Sequence, residues 1–129
     1  MKILVVDDDP YMRELVDYNL RLEGYDVLLA PSGSDGISMA QEQAPDLILM
    51  DMMMPELDGL QALSILKRHP ATSHIPVFML TARQRMGDLE QAFLLGADDY
   101  ITKPFDPVGL GRQVAQKLNK AADRTTERS

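Results

Sequence analysis

The chain has no cysteine and no tryptophan, and aromatic residues make up only 5% of its 129 residues. Without cysteine, neither a disulfide framework nor a thiolate metal site can form. That suits a reducing cytoplasm, which is the expected location. No apolar run approaches the length of a membrane span, so no membrane segment is expected. The start, Met1-Lys2-Ile3, leads directly into a short apolar run ending in acids, which is not a signal peptide. Cations are in the minority: 13 Lys and Arg stand against 20 Asp and Glu, a net charge of -7. Phosphate contacts need clustered Lys and Arg, so direct nucleic-acid binding by this domain is not expected. Most acidic domains are acidic for solubility. A sharper reading is that several acids converge on one cation, and their positions along the chain decide.

What is present is an alternation of short apolar runs with stretches of helical period. The length fits one compact domain. Ile3-Leu4-Val5-Val6 reads as a buried first strand. Met12, Leu15, Val16 and Leu20 recur at helical spacing, with Pro10 placed to open the helix and Gly24 to close it. Asp26-Val27-Leu28-Leu29 is a second strand. Ser34 or Asp35 caps a helix that carries Ile37, Ala40 and Ala44 and stops at Pro45. Leu47-Ile48-Leu49-Met50 is the third strand, and Gly59 to Arg68 a helix with Leu60, Leu63 and Leu66 at its spacing. Val77-Phe78-Met79-Leu80 is the fourth strand, followed by a helix marked by Leu89, Ala92 and Phe93 and ended by Gly96. Tyr100-Ile101-Thr102 is a short fifth strand, and Pro107 opens a last helix with Val108, Val114 and Leu118 inward. A domain over residues 1–122 and a polar C-terminal tail over 123–129 are expected. Strands apolar on both faces, separated by helices, predict a parallel sheet covered on both sides. The ligand site of such a sheet lies at the carboxyl ends of its strands, where the strand order reverses.

Those ends carry chemistry. The first strand runs into Asp7-Asp8-Asp9, the third into Asp51, the fourth into Thr81-Ala82 and the fifth into Thr102-Lys103-Pro104. Each has a plain explanation by itself. An acid after a strand often caps the next helix, a terminal Thr satisfies local backbone, and a loop Lys is usually solvated. Together they are harder to dismiss. Asp51 would lie near Asp7 and Asp8, and carboxylates so gathered must protonate or hold a cation. An all-oxygen set with few ligands suits Mg²⁺, with Mn²⁺ as an accepted substitute. An Asp carboxylate can attack phosphorus. A divalent metal offsets the repulsion between the two anions, and a Lys ammonium can hold a phosphoryl oxygen.

Four segments resemble response-regulator receiver domains: Val5-Val6-Asp7-Asp8, the loop from Asp51 through Met52-Met53-Met54-Pro55 to Asp58-Gly59, Leu80-Thr81-Ala82, and Gly96 through Tyr100 to Lys103-Pro104-Phe105. The resemblance covers residues 2 to about 120 in family order and spacing. It implies a flavodoxin-like (βα)5 three-layer sandwich with a parallel sheet of order 2-1-3-4-5. It further implies a switch in two-component phosphorelay rather than a turnover enzyme. Asp51 would take a phosphoryl group from a sensor histidine kinase or a phosphotransfer protein. Asp8, Asp51 and the backbone carbonyl of Met53 would ligate the metal, with Asp7 acting through water. Lys103 would pair with the phosphoryl group, and the Lys103-Pro104 bond would be cis. Thr81 and Tyr100 would move together as the switch, altering the face of the fourth helix, fifth strand and fifth helix for a downstream effector. Met53 and Arg83 occupy the positions that tune phosphoryl lifetime. A bulky apolar Met53 would hinder attacking water, and Arg83 cannot act as a base, so slow loss is expected.

Some residues depart from the family. A phosphorylation-dependent dimer through the same face is implied, yet Gln113 stands where an Arg is usual, beside Arg112, and Leu89-Glu90-Gln91 lacks a basic residue. Gly109 and Gly111 each weaken the last helix by roughly 1 kcal/mol relative to Ala. The run Met50 to Met54 offers thioethers, but packing is the stronger reading. His69 and His74 read as solvated loop residues. The alternative function is a phosphatase of the haloacid-dehalogenase type with Asp7 as its nucleophile. A nucleotide carrier would need a Gly-, Ser- or Thr-rich phosphate loop where the acids stand.

Overall fold

The computed structural model describes residues 1–128, with side chains through Lys120. Five strands alternate with helices: β1 (Lys2–Val6), α1 (Pro10–Leu22), β2 (Asp26–Ala30), α2 (Gly33–Gln43), β3 (Leu47–Asp51), α3 (Gly59–Arg68), β4 (Val77–Ala82), α4 (Leu89–Leu94), β5 (Asp99–Lys103) and α5 (Leu110–Arg128). A 3₁₀ turn over Arg83–Asp88 joins β4 to α4. All strand pairs are parallel and their order is β2-β1-β3-β4-β5. This is the expected three-layer sandwich.

Each strand serves two cores because successive side chains point to opposite faces. Leu4, Val6, Ile48, Met50, Val77 and Met79 meet Ala40 of α2, Ala62, Leu63 and Leu66 of α3 and Leu89 and Ala92 of α4. Ile3, Val5, Leu47, Leu49, Phe78 and Leu80 meet Val16 and Leu20 of α1 and Leu110 and Val114 of α5. Apolar runs without alternation are the sequence sign of a sheet buried twice. Met50 lies in the first core, as packing rather than as a soft ligand.

Several boundaries differ from the sequence reading, each for a local reason. Ser32, not Ser34 or Asp35, caps α2, its hydroxyl accepting from the Asp35 N–H at 3.1 Å. The last helix opens at Leu110 rather than Pro107, because Asp106 organises a turn first. Its carboxylate accepts from the Val108 N–H and its carbonyl from the Gly109 N–H, both at 3.1 Å. Val108 is therefore turned out, 75% exposed, and Leu110 takes the inward place. Phe93 is likewise on the outside of α4. The expected edge of the polar tail falls within α5, and Ser129 lies outside the described residues. Gly111 is less a weakness than a requirement, since a Cβ there would strike the Glu23 side chain at the end of α1.

Candidate functional site

The sheet order reverses between β1 and β3, which the chain reaches from opposite sides. Val6 pairs with Met50, so Asp7 and Asp51 leave the sheet side by side at its carboxyl end. Carboxylate oxygens of Asp7, Asp8 and Asp51 all lie within 4.8 Å of one another. Lys103 arrives from the end of β5 and donates to both buried acids, at 3.1 Å to Asp7 Oδ2 and 3.2 Å to Asp51 Oδ1. The Lys103-Pro104 peptide bond is cis.

The three acids have different surroundings. Asp7 is fully buried and every polar atom of it is engaged. Its N–H donates to the Ala30 carbonyl, its Oδ1 accepts from the Asp9 N–H, and its Oδ2 accepts from Lys103. Its own carbonyl accepts from Arg13 Nη1 at 2.7 Å. Asp9 is the plain case: it caps α1, accepting from the Tyr11 N–H at 3.0 Å. Asp8, between them, is exposed and has no hydrogen-bond partner among the described residues. Asp51 is 7% exposed, with Oδ1 shared between Lys103 and a long contact from the Met53 N–H. Burial is the main cause that pushes its pKa up to about 6; Lys103 opposes this and the Asp7 charge adds to it. Burial also works against the Lys103 ammonium, but the charges of Asp51 and Asp7 outweigh it and hold its pKa above the ordinary lysine value.

This donor set fits a small hard cation. The oxygens are all carboxylate, one acid is exposed and unpartnered, and Asp51 resists ionisation where it stands. A divalent ion would relieve that resistance, and Mg²⁺ favours a few carboxylates with its remaining places open to water or phosphate.

The loop after Asp51 is shaped by backbone. Glu56 turns in the left-handed region at φ 65°. Asp58 then caps α3 in a reciprocal box with Gln61, at 2.9 and 3.0 Å. Gly59 presses against the Asp51 carbonyl and the Met52 backbone so closely that no Cβ fits. Met53 is half exposed in this loop, and Arg83 is exposed in the 3₁₀ turn. Thr81 is fully buried, and its hydroxyl donates to the neighbouring Ala82 carbonyl at 3.3 Å. Tyr100 is half-buried, edge-on to Phe93 and with Lys117 Nζ 5.3 Å above its ring; Lys117 also donates to Asp99 at 3.1 Å. His69 Nδ1 accepts from the Ala71 N–H and His74 is exposed, so neither joins the site. Sequence reasoning placed Gly59 in the loop but passed over Arg13. Arg13 gives no local signal, because its partner carbonyl is six residues back across a loop.

Among the described residues no helix is long and apolar enough to cross a membrane. Residues 3–115 match the family described as the response regulator receiver domain. The chain is 48% identical to the DNA-binding dual master transcriptional regulator RpaA of Synechocystis sp., over 81% of this chain and 44% of that protein. It is 40% identical to the alkaline phosphatase synthesis transcriptional regulatory protein PhoP of Bacillus subtilis, over 93% of this chain and 49% of that protein. The chain thus spans about half the length of these curated relatives. Among solved structures, the chemotaxis response regulator CheY4 of Vibrio cholerae superposes with a TM-score of 0.84 at 28% identity, over 90% of this chain and 97% of that one. With its parallel sheet, its acid cluster at the switch point and this match over most of its length, the chain belongs to the receiver domain family of two-component response regulators.

Proposed function

We propose that this domain accepts a phosphoryl group on the Asp51 carboxylate and thereby switches an output partner. The observation that carries this is the placement of Asp51: nearly buried, 3.2 Å from Lys103, and within one cluster of oxygens with Asp7 and Asp8. An Asp51 oxygen attacks the phosphorus of a phosphohistidine, the P–N bond breaks, and the histidine nitrogen leaves with its electron pair. Asp8, Asp51 and the Met53 carbonyl would hold Mg²⁺, with Asp7 acting through water, and the ion would supply charge neutralisation for the transferring oxygens. Lys103 shifts from a carboxylate partner to a phosphoryl partner at the same place. The buried Thr81 hydroxyl, whose one hydrogen bond among the described residues goes to its neighbour's carbonyl, would turn toward the new anion. Tyr100 follows, and the α4–β5–α5 face changes. Such a change is a local charge event that biases a two-state element.

Asp51 is a better nucleophile than Asp7, whose two carboxylate oxygens are both engaged in a fully buried site. The domain therefore acts as a switch rather than as a phosphatase built on Asp7. A histidine kinase or phosphotransfer protein would be the donor and an effector domain or protein the output; RpaA and PhoP are named as transcriptional regulators, which accords with the second part. Dimerisation on phosphorylation would need contacts other than the usual Arg pairing, since Gln113 stands at that place.

Intact-mass measurement with acetyl phosphate tests this. One phosphoryl adduct is expected, requiring Mg²⁺ and absent in Asp51→Asn. An adduct that persists in Asp51→Asn, or phosphate release dependent on Asp7, would sink the reading. A bulky, half-exposed Met53 two residues after Asp51 would hinder attacking water, so the adduct should last well beyond seconds and Met53→Asn should shorten its life several-fold.

A further inference from the structure

We infer that Arg13 is a positioning residue for the acid cluster, locking the β1–α1 loop so that the Asp8 carboxylate is presented to a divalent cation. The inference rests on the metal reading of Asp7, Asp8 and Asp51 given above. β1 ends at Val6, and the Asp7 N–H is the last of this segment to reach a neighbouring strand, at 3.2 Å from the Ala30 carbonyl. The Asp7 carbonyl points beyond the sheet. A buried carbonyl needs a donor, and the guanidinium of Arg13 supplies one from the first turn of α1 at 2.7 Å. That length is typical of a charge-assisted bond. The same residue's N–H donates to the Asp9 carbonyl at 3.0 Å. Arg13 thus grips both sides of Asp8, the residue before it with its side chain and the residue after it with its backbone.

The grip is reinforced by bonds within the loop. The Asp9 N–H donates to Asp7 Oδ1 at 2.9 Å, and Asp9 in turn caps the Tyr11 N–H. Asp7 is consequently bonded at all its polar atoms, and Asp9 at its N–H, its carbonyl and one carboxylate oxygen. Asp8 is the one member left with an exposed carboxylate and no partner among the described residues, within 4.8 Å of its two fellow acids. A free ligand on a fixed backbone is a preorganised one. Partners that orient a metal ligand without touching the metal matter nearly as much as the ligands themselves.

Charge and position predict opposite signs, which makes the idea testable. If Arg13 acted only as a cation beside acids, its removal would strengthen binding of Mg²⁺. If it acts by holding the loop, its removal weakens binding despite the lost repulsion. The experiment is calorimetric titration of the full chain with Mg²⁺ alone, for wild type, Arg13→Met, Arg13→Lys and Asp8→Asn, each with a thermal melt in EDTA. Arg13→Met is expected to bind Mg²⁺ roughly tenfold more weakly, the low end for partners of this kind. Arg13→Lys, which keeps a charged donor, should recover most of the affinity, and Asp8→Asn should abolish binding. A merely structural Arg13 would lower the melting temperature and leave the affinity of the folded protein unchanged. Unchanged or tighter binding in Arg13→Met, with Asp8→Asn dead, would overturn the role of Arg13 and leave the metal site standing. Binding that survives Asp8→Asn would bring down the metal reading and this inference with it. Should Arg13→Met fail to fold, Arg13→Gln serves as the neutral arm with the same expectation.

Discussion

Lys67 and Lys103 each bring an ammonium to a carboxylate at one end of the sheet, and the two sites differ in what surrounds the pair. Lys67 lies at the entry end of β4 and β5. It donates to Asp98 Oδ2 at 3.0 Å and to the carbonyls of Ile75 at 2.7 Å and Ser73 at 3.4 Å. The same Asp98 oxygen accepts from the Val77 N–H at 2.9 Å, so one cation meets one anion and the donors are used up. At the exit end, Lys103 faces two buried carboxylates with a third nearby. Lys103 is the one ammonium paired with these carboxylates, and the Arg13 guanidinium nearby is engaged by the Asp7 carbonyl rather than by a carboxylate. The first site is closed and ties α3 to the two strands it borders. The second carries an unmet charge, and an unmet charge at a strand-end crevice is what a metal and a phosphoryl group can answer.

Removing each lysine should have different consequences at the two ends of the sheet. Lys103→Met leaves Asp7 and Asp51 buried without their cation, and breaking such a pair costs about 3–5 kcal/mol. Urea unfolding without metal should show that loss at pH 7, and added Mg²⁺ should restore much of it. The phosphoryl adduct should also form far more slowly.

The pH dependence of the wild-type domain gives a comparable effect. Asp51 titrates at about 6 when folded against an ordinary value of 3.8. Between those values the folded protein keeps a proton that the unfolded chain has lost. Stability of the metal-free domain therefore falls as pH rises from about 4 to about 6 and then levels, a change of about 3 kcal/mol. Asp51→Asn should flatten that part of the curve. A wild-type curve equal to that of the Asn variant would refute the burial argument.

Lys67→Met should have the smallest effect, about 2 kcal/mol, from two carbonyls that lose their Lys67 donor and a half-open carboxylate that keeps only the Val77 N–H. Mg²⁺ should not rescue it, and phosphoryl acceptance by Asp51 should continue near the wild-type rate. Rescue by Mg²⁺ would show the two ends of the sheet to be more strongly coupled than their separation suggests.

Much of this was legible in the chain. Apolar runs at 3–6, 47–50 and 77–80 read as strands covered on both faces, and their ends delivered the acids and Thr81, with Lys103 arriving at the end of the shorter fifth strand. Helix boundaries were less so. Ser32 could not be told from Ser34 as a cap, because both precede an apolar helical stretch and only backbone angles separate them. Val108 looked inward by spacing, yet Asp106 had already used those residues in a turn. The 3₁₀ turn bearing Arg83 lacks both a side-chain cap and a buried residue, so no pattern marked it.

The sequence by itself determined the layers, the strand ends and the residue types that meet there, since periodicity and strand length follow from local chemistry. Only the tertiary structure decided which acid is sealed and which is open. Asp7, Asp8 and Asp9 are adjacent and identical in the chain. Asp7 is closed by Ala30, Arg13 and Lys103 from three separate elements, Asp9 is exposed but spent on a helix cap, and Asp8 is exposed with no hydrogen-bond partner among the described residues. Those differences arise from partners distant along the chain, where local pattern carries no information.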